Sequence, residues 1–287
     1  MAGSGAAERA AAAQDAATRD RASPRELDYH QLWQTAVIPI LDDLLVAALL
    51  GGRIADRLAW VFVAGYQSAC RATFPEAAGS GWVTFAVSED RAPVDPLPPV
   101  AFHETDHGQV LQGSKTWIAA VNSVEQLVVK SDRGARARYW LVERAAPGLT
   151  LESRDTPEFL RDLSQGRAHF VDVPITALQP LDATRVDAFR WFEALYIYAA
   201  FCGFVQAHAT TDDLLRLCGD CLDGIQPALT ALLANELDVP SLQKADARAQ
   251  DLLVSLSGNR LAAAGDWDTD QRLIAMYSKA IRQLQPG

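Results

Sequence analysis

Residue types able to do chemistry fall in a few places along the chain. His103-Glu104-Thr105-Asp106-His107 has the H-E-x-x-H spacing of zinc proteases. There a helical turn sets both imidazoles on one face, with the Glu over the metal-bound water. Here the segment follows Pro98-Pro99, precedes Gly108 and lies between two strand-like stretches. An exposed hairpin turn is expected, and no metal site. Cys218 and Cys221 form a C-x-x-C inside a helical stretch with no second Cys pair nearby. They read as buried structural thiols, because free Cys packs as a small hydrophobe. His30, His169 and His208 are isolated from one another and carry no signal.

The informative residue is Glu193. The run Trp191 to Val205 is apolar nearly all round, and Glu193 is its only charge after Arg190. A helix of that composition is covered on most sides, and a lone carboxylate removed from water is costly. It must face a cavity or be partly neutralised by a raised pKa, and both conditions suit a general base near neutrality. Thr184 or Asp187 is the expected N-cap, placing Glu193 in the second or third turn, where the helix dipole has mostly faded. A snorkelled carboxylate, or one paired with Arg190, explains the pattern equally well.

The elements that must position these residues change period along the chain. Residues 1–22 are Ala-rich with scattered charges and no large side chain to bury, so a disordered arm is expected. Leu32, Trp33, Val37, Ile40, Leu41, Leu44 and Leu45 recur at helical spacing. Pro39 should kink that helix and Gly51-Gly52 should end it, with a second helix over about 53–71. From Trp82 to about Leu181 the period becomes 2, in short strands separated by turn residues. After Pro180 the helical period returns and holds to Lys279. The expected division is a helical region over 23–81, a small antiparallel barrel or sandwich over 82–181, and helices over 182–287.

Composition narrows the function. The 287 residues are 49% apolar and 22% charged, the makeup of a globular protein with a sizeable core. A net charge of −10 gives phosphate backbones and anionic lipid nothing to hold, so no nucleic-acid role is expected. The apolar stretches fall short of the ~18 residues of a membrane span, and residues 1–22 have no signal-peptide core. Four cysteines make no disulfide framework in a chain this long, which points to a cytoplasmic location.

The middle of the chain resembles a known family. Leu111-Gln112-Gly113-Ser114-Lys115-Thr116-Trp117-Ile118 is similar to the L-x-G-x-K-x-W-I signature of the acyl-CoA dehydrogenases. Phe85 to Glu89 resembles the strand ending small-x-[Thr/Ser]-Glu that precedes it. Tyr139 to Glu143 with Pro147-Gly148 is like the family's F-x-V-E…P-G, and His169 to Pro174 is like its F-x-D-V-x-V-P segment. The matches run in the family's order across about 90 residues. The resemblance implies an α+β fold with a helical N-terminal domain, a central antiparallel β-barrel and a C-terminal helical bundle. It also implies FAD, usually at a subunit interface of an oligomer, and an acyl-thioester substrate. A carboxylate takes the α-proton while the β-hydrogen leaves as hydride to the flavin.

Carried over by position, Val87 and Ser88 match the loop whose backbone contacts the flavin, and Trp117, with Ile118, matches the wall beside its ring. Ala119 falls where the family has a flavin-bonding Thr or Ser, leaving only a backbone contact. Arg216 matches the Arg that grips the cofactor's phosphates, Ile225-Gln226 weakly follows the F-Q beyond it, and Ser257-Gly258 is half of a Gly-Gly turn. No acid follows Asp270, so the family's commoner base position is empty. The other position lies ten residues before the Gly of a helical G-x-x-Q-A; counting back from Gly203 in Gly203-Phe204-Val205-Gln206-Ala207 reaches Glu193. The E-P-x-x-G-S-D loop of the family is replaced by Asp90-Arg91-Ala92-Pro93, and the N-terminal domain is shortened. Two other readings are a lapsed subunit that assembles with a full-length homologue, and a flavin monooxygenase or oxidase on the same fold.

Overall fold

A computed structural model describes residues 23 and 25–285, apart from 78, 80, 107, 133, 135, 136, 156, 210 and 257–264. The Ala-rich arm and Ser257-Gly258 lie outside the described residues. The described residues form two compact units, one comprising those up to Thr73, those of Glu158–Asp162 and those from Asp187 onward, the other those of Phe74–Pro157 and Leu163–Val186.

The helical unit begins with α1 (Glu26–Ala36), a 3-10 turn at Ile38–Ile40 containing Pro39, α2 (Leu44–Arg53) and α3 (Leu58–Thr73). It continues with α4 (Phe189–His208), α5 (Asp212–Leu233), α6 (Val239–Leu256) and the short α7 (Trp267–Asp270), α8 (Arg272–Ala275) and α9 (Ser278–Arg282). The helix ends at Arg53, one residue past Gly51-Gly52, so the break falls where expected and both glycines lie in the last turn of α2. Their role is close packing. A Cβ on Gly52 would fall 1.8 Å from the Ala200 carbonyl oxygen of α4, and one on Gly203 of α4 would fall 2.0 Å from that of Leu49. A Cβ on Gly65 of α3 would likewise fall 2.5 Å from the Ile197 backbone of α4. Bare backbones let three helices approach where side chains would hold them apart. Every residue of α3 is buried, as is nearly all of α4. The N-terminal flank of α4 also departs from expectation. Its N-cap is Ala188, without a side-chain cap, while Thr184 bonds Asp182 in the preceding turn (3.0 Å).

The second unit holds β1 (Trp82–Ala86), β2 (Ala101–Thr105), β3 (Gly108–Ala119), β4 (Val124–Ser131), β5 (Arg138–Glu143), β6 (Leu149–Ser153), β7 (Gln165–Pro174) and β8 (Leu178–Pro180). They do not close into one antiparallel barrel. They form two four-stranded sheets, ordered β1-β4-β5-β8 and β2-β3-β7-β6. All pairings are antiparallel except β1 with β4, which run parallel. Leu111, Ile118, Leu127, Val129, Val142, Phe170 and Val173 build the core of this unit. Alternation is clearest in β7, where Gly166, Ala168 and Phe170 turn inward between more exposed neighbours, while β1 is buried throughout.

Candidate active site

In the helical unit, Glu193 sits in the second turn of α4. It is the one residue from Trp191 to Val205 that is not fully buried. Its surroundings follow from the contact at Gly65. Because α3 and α4 touch backbone to backbone there, Tyr66 and Cys70 of α3 are carried to the same face of α4. Tyr66 packs edge-on against Phe189 (6.0 Å), one turn before Glu193, and Cys70 lies within electrostatic range of the carboxylate. The Tyr277 hydroxyl, from the link between α8 and α9, lies within polar-interaction range of Glu193. Burial is the main influence and pushes the Glu193 carboxyl up to about 7, with the Tyr277 hydroxyl working against it. The aromatic and thiol neighbours offer no counter-charge, so desolvation wins.

In the sheet unit, parallel β1 and β4 run side by side, and the segment after β1 together with the end of β4 lines a cleft of about 580 Å³. Val87, Ser88, Glu89, Asp90 and Arg91 form one side, Lys130 and Asp132 the other. The Ser88 carbonyl accepts from the Thr116 amide (2.9 Å). Lys115 is fully buried, and its ammonium pairs with Glu89 at 2.9 Å. Asp90 accepts the amides of Ala92 (2.9 Å) and Leu97 (3.1 Å), which hold its carboxyl below the usual range. That carboxylate closes the Asp90-Arg91-Ala92-Pro93 loop upon itself.

Trp117 is half-buried, and its indole N–H donates to Gln165 Oε1 at 3.1 Å. Gln165, Arg167 and His169 alternate along β7 and so share one face. The Nε atom of Arg167 is buried there with no hydrogen-bond partner. Ile118 points into the core, fully buried, and the Ala119 amide donates to Thr84 Oγ1 at 3.2 Å. Arg216, on the exposed face of α5, lies between Asp213 (3.7 Å) and Asp220 (3.3 Å).

The hairpin expected at H-E-x-x-H is present. His103, Glu104 and Thr105 of β2 pair with Val110, Gln109 and Gly108, and consecutive side chains point to opposite faces. His107 lies outside the described residues. Among the described residues, no group of three or more His, Cys, Asp or Glu side chains could hold a metal ion. Cys70, Cys202, Cys218 and Cys221 are buried and form no disulfide.

Several groups escape sequence reasoning. Tyr277 and Cys70 reach Glu193 only through the fold, and the Lys115–Glu89 pair gives no local signal. A row on adjacent strands joins Ser114 Oγ to His169 Nδ1 (3.0 Å) and His169 Nε2 to Glu152 (3.2 Å). The order resembles a nucleophile, base and orienter. Yet Ser114 is 5% exposed and its amide is committed to the Pro98 carbonyl, so the donor next to it cannot serve an oxyanion. It is a cross-strand network.

No protein-family profile matches the chain, and no curated protein matches it. Solved structures do. PigA, solved with FAD and proline, superposes with a TM-score of 0.65 at 13% identity, covering 99% of this chain and 96% of that one. Butyryl-CoA dehydrogenase from Megasphaera elsdenii gives 0.64 at 12%, covering 96% and 92%. The prolyl acyl carrier protein oxidase AnaB gives 0.62 at 12%, covering 98% of both. The chain therefore has the fold found in acyl-CoA dehydrogenases and their relatives, a mixed α+β architecture matched along nearly its whole length.

Proposed function

We propose that this chain is a flavin-dependent dehydrogenase of acyl thioesters in which Glu193 removes the proton next to the carbonyl. The observation that carries the reading is Glu193: a single carboxylate, with part of its surface open, in an otherwise closed helix, its acidity moved to about 7. A base performs best when its pKa lies near the working pH, because it is then both largely ionised and strongly basic. An ordinary exposed carboxylate would hold the abstracted proton too weakly. In the step itself the α C–H bond breaks, Glu193 gains the proton, and the electron pair is delocalised onto the thioester carbonyl.

FAD, when bound, supplies the acceptor for the β-hydride. The sheet unit has features that fit such a cofactor. Ser88 is exposed beside the cleft, the Trp117 indole N–H is tied to Gln165, and Arg167 on the same face as Gln165 carries a buried Nε without a hydrogen-bond partner. Val87, Ser88 and Trp117 would hold the ring. Ile118 and Ala119 would set the position of Trp117 from the core side. Arg216 would have to leave Asp213 and Asp220 to meet a phosphate.

Butyryl-CoA dehydrogenase and the prolyl carrier-protein oxidase share this fold, and the chemistry common to their names is an acyl group on a thioester. That class is the substrate we assign, in a reducing cytoplasm and an oligomeric assembly. The test is anaerobic mixing of the flavin-loaded protein with butyryl-CoA and with a carrier-bound acyl thioester. Glu193→Gln should keep its flavin and lose at least ~100-fold in the rate of bleaching. Bleaching within tenfold of wild type would remove Glu193 from the reaction.

A further inference from the structure

We propose that Tyr277 is a positioning residue for Glu193, and that a polar row on α6, Gln243, Asp246 and Gln250, holds it in place. The inference rests on Glu193 being the base only for its kinetic consequence; the positioning itself is a property of the helical unit.

Gln243, Asp246 and Gln250 are spaced by three and four residues, so they share one face of α6. Each reaches the C-terminal segment. Gln243 Nε2 donates to the carbonyls of Leu284 (3.0 Å) and Ile281 (3.3 Å), and Gln250 Nε2 donates to that of Ile274 (2.9 Å). Asp246 is 2% exposed and accepts from Ser278 Oγ (2.7 Å) and from the Tyr198 hydroxyl of α4 (2.8 Å), with Arg282 Nε at 3.6 Å. One buried carboxylate thus fastens both α4 and the residue immediately after Tyr277. Breaking such a fully partnered network is costly, which makes it a rigid anchor. Tyr277 is further fixed edge-on against Tyr198 at 6.5 Å, and α8 packs on both α4 and α6. Held by these contacts, the phenol presents its hydroxyl on the Glu193 side, where the two groups influence each other directly.

A hydroxyl donated to a carboxylate favours the ionised form. Tyr277 would then hold one carboxylate oxygen and stabilise the charge, limiting how far burial raises the group. The titratable groups facing Glu193 are Cys70 and Tyr66 from α3 and Tyr277 from the C-terminal segment. Of the other helices on α4, α5 brings Cys218 and Cys221 to Cys202, and α6 brings Asp246 to Tyr198. The last turn of α2 brings Arg53 to Gly203.

The experiment is infrared titration of the full-length protein, with the Glu193 carboxyl band isolated by difference against Glu193→Gln. Tyr277→Phe keeps the ring and removes the hydroxyl. It should bind the Glu193 proton about tenfold more tightly, the scale of one lost charge-assisted hydrogen bond. The acid limb of the bleaching profile should move by the same factor, with the high-pH rate held within about threefold. Gln243→Ala combined with Gln250→Ala, which frees the segment without touching Tyr277, should shift the titration in the same direction. An unchanged Glu193 titration in folded Tyr277→Phe overturns the proposal. If wild type titrates as expected but no thioester bleaches it, the base reading falls and the positioning stands.

Discussion

A carboxylate, a phenol and a thiol are brought together in the helical unit, and desolvation acts on each of them. Glu193 keeps its proton up to about pH 7, and burial also drives the Cys70 thiol and the Tyr277 phenol upward. The consequence for stability has a definite sign. The folded state holds the Glu193 proton more tightly than the unfolded chain, whose carboxyl titrates near 4.5, so ionisation weakens the fold. That cost is absent below about pH 4.5, grows as pH rises and is complete above 7. Glu193→Gln escapes it. Urea unfolding should show the variant and wild type equal near pH 4.5. At pH 8 the variant should be more stable by about 2 kcal/mol, less than the full shift implies because the side chain keeps some solvent. Equal stability at both pH values would place the carboxylate in an ordinary aqueous setting.

Between elements, glycine contacts decide how closely the helices lie and so whether the Glu193 surroundings exist. Gly52→Ala puts a methyl into the Ala200 carbonyl, and backbone cannot yield as a side-chain tip can. A loss of about 3 kcal/mol in chemical denaturation is expected. Gly219, in α5, has nothing within 4 Å of its Cβ position. Gly219→Ala should therefore stabilise by about 0.5–1 kcal/mol through helix propensity alone. The pair separates packing from propensity: if both variants destabilise equally, the close approach of α2 to α4 is not what Gly52 provides.

At the scale of the whole molecule, the chain leaves the strand region at Glu158–Asp162 and joins the helical unit before returning to β7. The excursion is fastened at three points. Asp270 Oδ1 accepts the Leu160 amide at 2.8 Å, Arg57 pairs with Asp162 at 3.0 Å, and Arg161 with Asp266 at 2.9 Å. Asp270 is 2% exposed, and burial raises its carboxyl despite the Leu160 hydrogen bond. Removing it leaves a buried amide without an acceptor. Asp270→Ala should cost about 2 kcal/mol, and hydrogen exchange at Leu160 should accelerate at least tenfold while amides of β3 and β4 keep their rates. Exchange rising equally in those strands would mean that the segment belongs with the sheets.

Much of this was legible in the residues alone. Periodicity belongs to a single element, so the helix–sheet–helix order, the hairpin at His103 to Thr105 and the solitary charge in α4 could be read without a fold. The motifs around Trp117 could be read for the same reason, since each lies within one strand or turn. What lay beyond reach depends on neighbours distant in the chain. The glycines at 51 and 52 mark the end of a helix by propensity, but their close contacts, Gly51 with Ala64 of α3 and Gly52 with Ala200 of α4, depend on helices far along the chain. The parallel pairing of β1 with β4, and the split into two sheets, depend on which strand edges find each other. Glu193 could be named from its own helix. Its proton affinity was set only when α3 and the segment around Tyr277 closed over it, because desolvation is a property of everything that surrounds a charge.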